Sequence, residues 1–580
     1  MMKAFLSSIL LFWPLVASAT TDSLRTTPTC RCTAEDPSCW PSSAAFAELE
    51  RNLSSPLIYP VPPASACYPV SSPSGNCSDV QENWSDGLWR ADQPGAMQEP
   101  NFETYIWQNG TASACYQNVS IGLSCEQGSV PVVGVDAREV GDIQAAVKFA
   151  TSNNLRIVVK NTGHDYLGRS TARGSFVIWT HQMKNLTYNA SFTLQGSPDA
   201  EEHFSAIMLS AGVQWFEAYA EAQKHNRIVV GGISPGGSVG AAGGWVQGGG
   251  HSILSPLHGL GVDNVLEMTI VIASGEHLTA NQYLNSDLFW TLRGGGGGTY
   301  GVVTSVTYRT HPALTVIGTF FSASSNNSNA VHSLLTEIVR TQPELTDAGW
   351  AGYGFGLANT LWFLYLMPNA TLSYANATLQ PLFSFAQNLT SQGLEIQMAS
   401  ITPYDSFYEW YSDIASDPSG GNGANIQIGS HLIPRDLFDN AYQNVSDVLF
   451  NLGSYSWNAV AGGKVSEIDP DSVGLNPAWR KALLHVTFGQ TWPEGAAADD
   501  IDSAIDLIKQ GLKSVHKLAP DSGAYFNEAS LYEEDPQGTF FGAHYEQLAA
   551  IKAKYDPGSS FLVQGGVGSE YWDKDLRCPL

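Results

Sequence analysis

Glycine constrains this chain more than any apolar pattern does. Between residues 130 and 310, three glycine-bearing loops interrupt an alternation of strand and helix patterns. The first follows the apolar run Arg156–Lys160 and reads Asn161-Thr162-Gly163-His164-Asp165-Tyr166-Leu167-Gly168-Arg169-Ser170. It sets one imidazole, His164, on a turn that glycine permits and whose backbone N–H groups can face a phosphate. The second runs from Gly231 to Gly250, and the third, Gly294–Gly298, follows Arg293. Such loops in one α/β region imply a large phosphate-bearing ligand lying along the backbone.

Apolar periodicity fills in the frame. Val130–Val135, Arg156–Lys160, Ser175–His181, Ala206–Ala211, Ile228–Val230, Asn264–Ala273 and Gly301–Arg309 read as strands. Val140–Asn153, Val213–His225 and Ser286–Leu292 read as helices. From about Pro312 the texture becomes that of an antiparallel sheet with covering helices. Strands such as Ala348–Gly356 and Thr360–Met367 alternate with helices near Ala330–Gln342, Leu372–Leu389 and Arg435–Leu452. A chain of 580 residues exceeds one core. The expected units are 1–19, 20–124, 125–313, 314–520 and 521–580, the last returning to the third.

The N-terminus, the sequons and the cysteines read together as signs of export. Lys3, the apolar Ala4–Val16 and Ala17-Ser18-Ala19 read as a signal peptide. Twelve Asn-x-Ser/Thr sequons, among them Asn52, Asn118, Asn369 and Asn444, fit a glycosylated surface. The eight cysteines imply up to four disulfides; seven precede residue 126, so one bridge is expected to join the N-terminal segment to Cys578. Cys30, Cys32 and Cys39 have no histidine nearby, and no metal site is expected. A net charge of −26 leaves little basic surface, which argues against nucleic-acid and anionic-membrane partners.

Other readings of the loops fail. No Gly-x-Gly-x-x-Gly joins a strand to a helix with an acid further on, so a Rossmann nicotinamide site is unsupported. Gly294–Gly298 lacks the Gly-Lys-Ser/Thr ending of a Walker loop. Gly236-Gly237-Ser238-Val239-Gly240 matches a nucleophile elbow literally, yet no apolar strand leads directly into it.

Taken together, Thr162–Gly168, the run ending Gly248-Gly249-Gly250, Gly261–Val265, Asp287–Gly298 and Tyr545–Pro557 resemble the FAD-linked oxidases of the vanillyl-alcohol-oxidase superfamily. The likeness is to its berberine-bridge-enzyme-like branch and the secreted fungal isoamyl-alcohol-oxidase type. It covers about residues 125–310 and 520–570.

That resemblance implies an α+β fold: a two-subdomain FAD-binding domain with a separate substrate domain over the flavin ring. The histidine matching His164 is the one that bonds covalently to the flavin. The cofactor-contacting set becomes Thr162, Gly163, His164, Asp165, Gly168, Gly237, Val239, Gly240, Gly243, Gly244, Gly248, Val302 and Asn527. Many relatives add a cysteinyl link, for which this chain has Gly236 or Gly237. Attachment through His164 alone is therefore expected.

Where several plant relatives read Tyr-x-Asn-Tyr, this chain reads Tyr525-Phe526-Asn527-Glu528. Glu528 and Tyr525 become the catalytic candidates, Glu528 as a base if burial raises its pKa towards neutrality. Tyr532 and a tyrosine or histidine from the substrate domain compete. Trp245, Gln247 and His251 flank the second loop, and Arg293 is read either as a phosphate contact or as a helix end. The expected protein is a monomeric secreted oxidase of a small alcohol-like or secondary-metabolite substrate, with O2 as acceptor. A flavin dehydrogenase or oxidative cyclase stands as the alternative, and a cofactor-free secreted binding protein on the same scaffold as a remote one.

Overall fold

A computed structural model of the chain describes residues 29–68, 76–198 and 202–580. The signal-peptide reading lies outside the described residues. The fold is mixed α and β, built on three main sheets.

The first sheet has four strands in the order Leu57–Ile58, Val133–Asp136, Phe176–Trp179, Ile157–Lys160. Val133–Asp136 and Ile157–Lys160 both run parallel to Phe176–Trp179. Buried on both faces, these strands read as unbroken apolar runs. The helix Val140–Ser152 forms the crossover, burying Ile143, Ala146, Val147 and Ala150. At its start the Asp142 carboxylate accepts from the backbone N–H of Glu139 at 3.1 Å, Arg138 at 2.8 Å and Ser54 at 2.7 Å.

The second sheet is antiparallel, in the order His277–Ala280, Val265–Val271, Val302–Arg309, Phe204–Ser210, Leu186–Phe192. The third is a seven-stranded antiparallel sheet, Glu395–Tyr404, Val316–Ser324, Thr360–Pro368, Ala351–Leu357, Ser454–Ala459, Ala482–Trp492, Asn425–Pro434. On one face, helices Ser328–Ala348, Leu372–Leu389, Arg435–Leu452 and Ala498–Leu518 bury a core that includes Phe363, Tyr365 and Trp457. The other face packs towards the glycine loops through Ala351, Leu366, Leu432 and Val460. On that face Tyr353 pairs with Asn458, and Asn458 with His485, in one row across three strands.

The sequence reading locates most of these elements to within a few residues and misses several in the third sheet. Glu395–Tyr404 is an edge strand whose residues are mostly exposed, so it carries no period-two apolar signal. The helix expected at Ala330–Gln342 continues through Pro343 to Ala348, because Leu345 and Thr346 are buried beyond it.

All eight cysteines form bridges: Cys32–Cys39, Cys67–Cys77, Cys115–Cys125 and the expected long-range link, Cys30–Cys578. The C-terminal segment packs onto the first two sheets. Arg156 donates to the Leu562 carbonyl at 3.1 Å, and the buried Lys552 ammonium donates at 2.8 Å to Thr299 O, Phe561 O and Asp556. No helix among the described residues is long and apolar enough to cross a membrane.

Candidate active site

All three glycine loops and the Tyr525–Glu528 segment converge on one cavity of about 990 Å³, its open mouth included. Gly163 makes the first turn, at φ +77°. A Cβ there would sit 2.8 Å from the Ala96 carbonyl, so both conformation and space require glycine. Gly297 brings the third loop against the second: its Cβ would meet the Gly244 Cα at 2.9 Å.

Among the expected residues, Thr162, Gly163, His164, Asp165, Val239, Gly240, Gly243, Gly244, Tyr525, Asn527 and Glu528 line this cavity. Trp245 and Gln247 line it too. Gly168, Gly237, Gly248 and Val302 do not. Gly168 faces the Phe102 ring, and Gly237 lies against Phe216 and the Tyr411 hydroxyl. Gly248 backs onto the Asn527 amide, and Val302 is buried in its strand beside Val271. Arg293 also lies elsewhere: it closes its helix by donating to Phe289 O at 3.3 Å and Ser472 O at 3.1 Å.

The His164 ring stands edge-on to Tyr166, their centroids 5.5 Å apart. Burial pushes its pKa below the ordinary imidazole value, which keeps the ring neutral and nucleophilic at neutral pH. Asp165 does not face the cavity as a free acid. Its oxygens accept from Leu167 N at 3.2 Å, Ser170 N at 2.9 Å and Arg169 Nε at 2.8 Å, fixing the loop that carries His164.

Asn527 acts as a clamp. Its Nδ2 donates to Gly244 O at 3.1 Å, Trp245 O at 3.0 Å and the Tyr525 hydroxyl at 2.8 Å, while Oδ1 accepts from Arg169 at 3.2 Å. The Tyr525 hydroxyl donates in turn to Trp245 O at 3.3 Å. Two cavity-lining amides keep buried oxygens without a protein donor, Asn161 Oδ1 and Gln247 Oε1. A polar ligand with N–H or O–H groups fits such a wall.

Glu528, about a quarter exposed, has two imidazoles behind it. His251 Nε2 lies 3.1 Å from Oε1, and His485 Nδ1 lies 3.6 Å from Oε2. Burial would raise the carboxyl, but His251, His485 and His164 outweigh it and hold the group at about 2. The expectation of a near-neutral pKa is thereby corrected: Glu528 is ionised throughout the working range. Burial pushes His485 down to about 3, so it is a neutral imidazole. The donor atoms of His251, His485 and Glu528 lie within 4.8 Å of one another, so the trio has the makings of a metal-binding set.

Sequence reasoning named His251 only as a flank of the second loop, and it missed His485, Tyr353, Asn161 and Arg169. Of these, His485 left a trace, as a polar residue inside the apolar run Ala482–Phe488.

Comparison with known proteins supplies the rest. Residues 131–281 match the family of FAD binding domains, and residues 524–568 match the family described as berberine and berberine like. An uncharacterised FAD-linked oxidoreductase of Arthroderma benhamiae is 37% identical, covering 95% of this chain and 96% of its own length. A VAO-type flavoprotein oxidase of Thermothelomyces thermophilus is 33% identical, with 98% of both chains covered. Among solved structures, a VAO-type flavoprotein of Myceliophthora thermophila superposes with a TM-score of 0.84 at 30% identity, covering 94% of this chain and 98% of the other. Glucooligosaccharide oxidase of Acremonium strictum shares the fold, with a TM-score of 0.62 at 22% identity, covering 75% of this chain and 91% of its own.

Proposed function

The chain belongs to the FAD-linked oxidoreductases of the vanillyl-alcohol-oxidase and berberine-bridge type, and from this we propose that it is a secreted, glycosylated oxidase. It removes a hydride and a proton from an alcohol-like or secondary-metabolite substrate and delivers the electrons to O2 as H2O2. The flavin, when bound, supplies the two-electron acceptor for the substrate hydride.

The observation that carries this reading is His164, a neutral imidazole on the wall of the cavity that Glu528 also lines. His164 is the single covalent anchor. Every cysteine is already in a disulfide, so no thiol is left for a second link.

Thr162, Gly163, Asp165, Val239, Gly240, Gly243, Gly244 and Asn527 hold the cofactor. Gly168, Gly237, Gly248 and Val302 shape those loops from behind. The units expected from sequence serve the same division: residues 125–313 carry the cofactor, 314–520 select the substrate and 521–580 return Glu528 to the cavity.

The test is flavin fluorescence of the denatured protein on a gel, followed by peptide mass analysis. FAD mass on the His164 peptide is expected. The enzyme, reduced with dithionite under anaerobic conditions, is then mixed with O2. Fast reoxidation with stoichiometric H2O2 marks an oxidase; slow reoxidation favours a dehydrogenase and overturns the choice of acceptor.

A further inference from the structure

Behind Glu528 the structure holds a chain of groups that a lone carboxylate base would not need. Glu528 is ionised and can only accept, so the bond at 3.1 Å assigns the proton to His251 Nε2. The other ring nitrogen, Nδ1, faces the Tyr353 hydroxyl at 3.5 Å. Tyr353 is half-buried on the sheet face that looks towards the glycine loops. Carboxylate, imidazole and hydroxyl thus stand in series, in the arrangement that elsewhere turns a weak acid into a proton donor to histidine.

We propose that His251 is the proton acceptor of the oxidation, that Tyr353 is the catalytic hydroxyl relaying the substrate proton to it, and that Glu528 is a positioning residue. This deepens the oxidase reading and rests on it. In the step, the substrate O–H bond breaks and its proton joins the Tyr353 oxygen, while the Tyr353 proton passes to His251 Nδ1. The C–H electron pair leaves as hydride to the flavin, so a carbonyl forms and His251 ends as an imidazolium paired with Glu528.

The surroundings of His251 suit the task. Glu528 and Tyr525 face it from the C-terminal segment, Tyr353 from strand Ala351–Leu357 and His485 from strand Ala482–Trp492, with Trp479 as apolar cover. Of these, only Glu528 is charged, so a proton arriving on His251 meets an anion and no competing cation. His485 turns its Nδ1 to the Asn458 amide at 3.3 Å, and its Nε2 is buried without a protein partner.

The experiment uses flavin-loaded wild type, H251Q, Y353F and E528Q, each required to match the wild-type flavin content. Flavin absorbance is followed across about pH 5 to 8, where imidazoles titrate. A protonation signal is expected in wild type and Y353F, absent from H251Q and moved to lower pH in E528Q, which loses the anion that favours the imidazolium. A signal unchanged in H251Q overturns the proposal.

Anaerobic reduction by a panel of primary and benzylic alcohols then reads the chemistry. Reduction is expected to fall about 10²–10⁴-fold in H251Q and Y353F with little change in KM; wild-type rates in Y353F remove Tyr353 from the relay. A stoichiometric divalent metal ion on wild type that is lost in H251Q overturns it as well, because His251 would then be a ligand. If no alcohol reduces wild type, the proposed substrate class fails, while the titration still decides the relay.

Discussion

Arg480 grips Asp263 through two parallel hydrogen bonds, 2.8 Å from Nη1 to Oδ2 and 2.7 Å from Nη2 to Oδ1, with both side chains about 95% buried. Asp263 follows the second glycine loop and Arg480 leads into strand Ala482–Trp492, so the pair joins the end of that loop to the seven-stranded sheet. Asp263→Ala leaves a guanidinium buried without its partner and should destabilise the fold by about 3–5 kcal/mol, read as a lower denaturant midpoint. Asp263→Leu with Arg480→Met should recover much of that loss.

His164→Ala should abolish the fluorescent band on a denaturing gel. Any FAD still carried should be released by mild denaturation and recovered in the filtrate, where wild type releases none.

Asn527→Ala removes the amide that serves two backbone carbonyls and the Tyr525 hydroxyl. Leaving these partners unsatisfied costs about 1–3 kcal/mol. Thermal melting should fall, and flavin content should fall with it because Gly244 and Trp245 lose their tether; Asn527→Asp should do no better, since its carboxylate cannot donate.

Acid should weaken the fold through the stacked pair His258 and His311, whose ring centroids are 3.7 Å apart. Burial pushes His258 down to about 4; burial, helped by His258 and two arginines, pushes His311 to about 3. The unfolded chain takes up these protons near the ordinary value of about 6.5, and the folded chain does not. Their contribution is therefore complete above about pH 6.5 and is lost as pH falls towards 3. His258→Phe should flatten that decline by at most about 1.4 kcal/mol per pH unit, measured by urea unfolding at several pH values.

The parts of this molecule legible in its sequence are those where local chemistry decides. The turn at Gly163 needs glycine, strand Ile157–Lys160 needs apolar side chains, and His164 follows from both. The cluster behind Glu528 was not legible. His251, Tyr353 and His485 are far apart in the chain and meet only because two adjoining strand pairs put Tyr353, Asn458 and His485 in register. The direction of the Glu528 shift was hidden for the same reason: burial predicts a rise, and partners supplied by distant segments reverse it.

The bridge between Cys30 and Cys578 closes residues 30–578 into a covalent ring. A single cut in an exposed turn, such as Asp417–Gly421, would open the ring into one linear molecule with new termini and shed no fragment until the bridge is reduced. Circularly permuted versions that begin in such a turn, with residues near 30 and 578 joined by peptide, describe the same object.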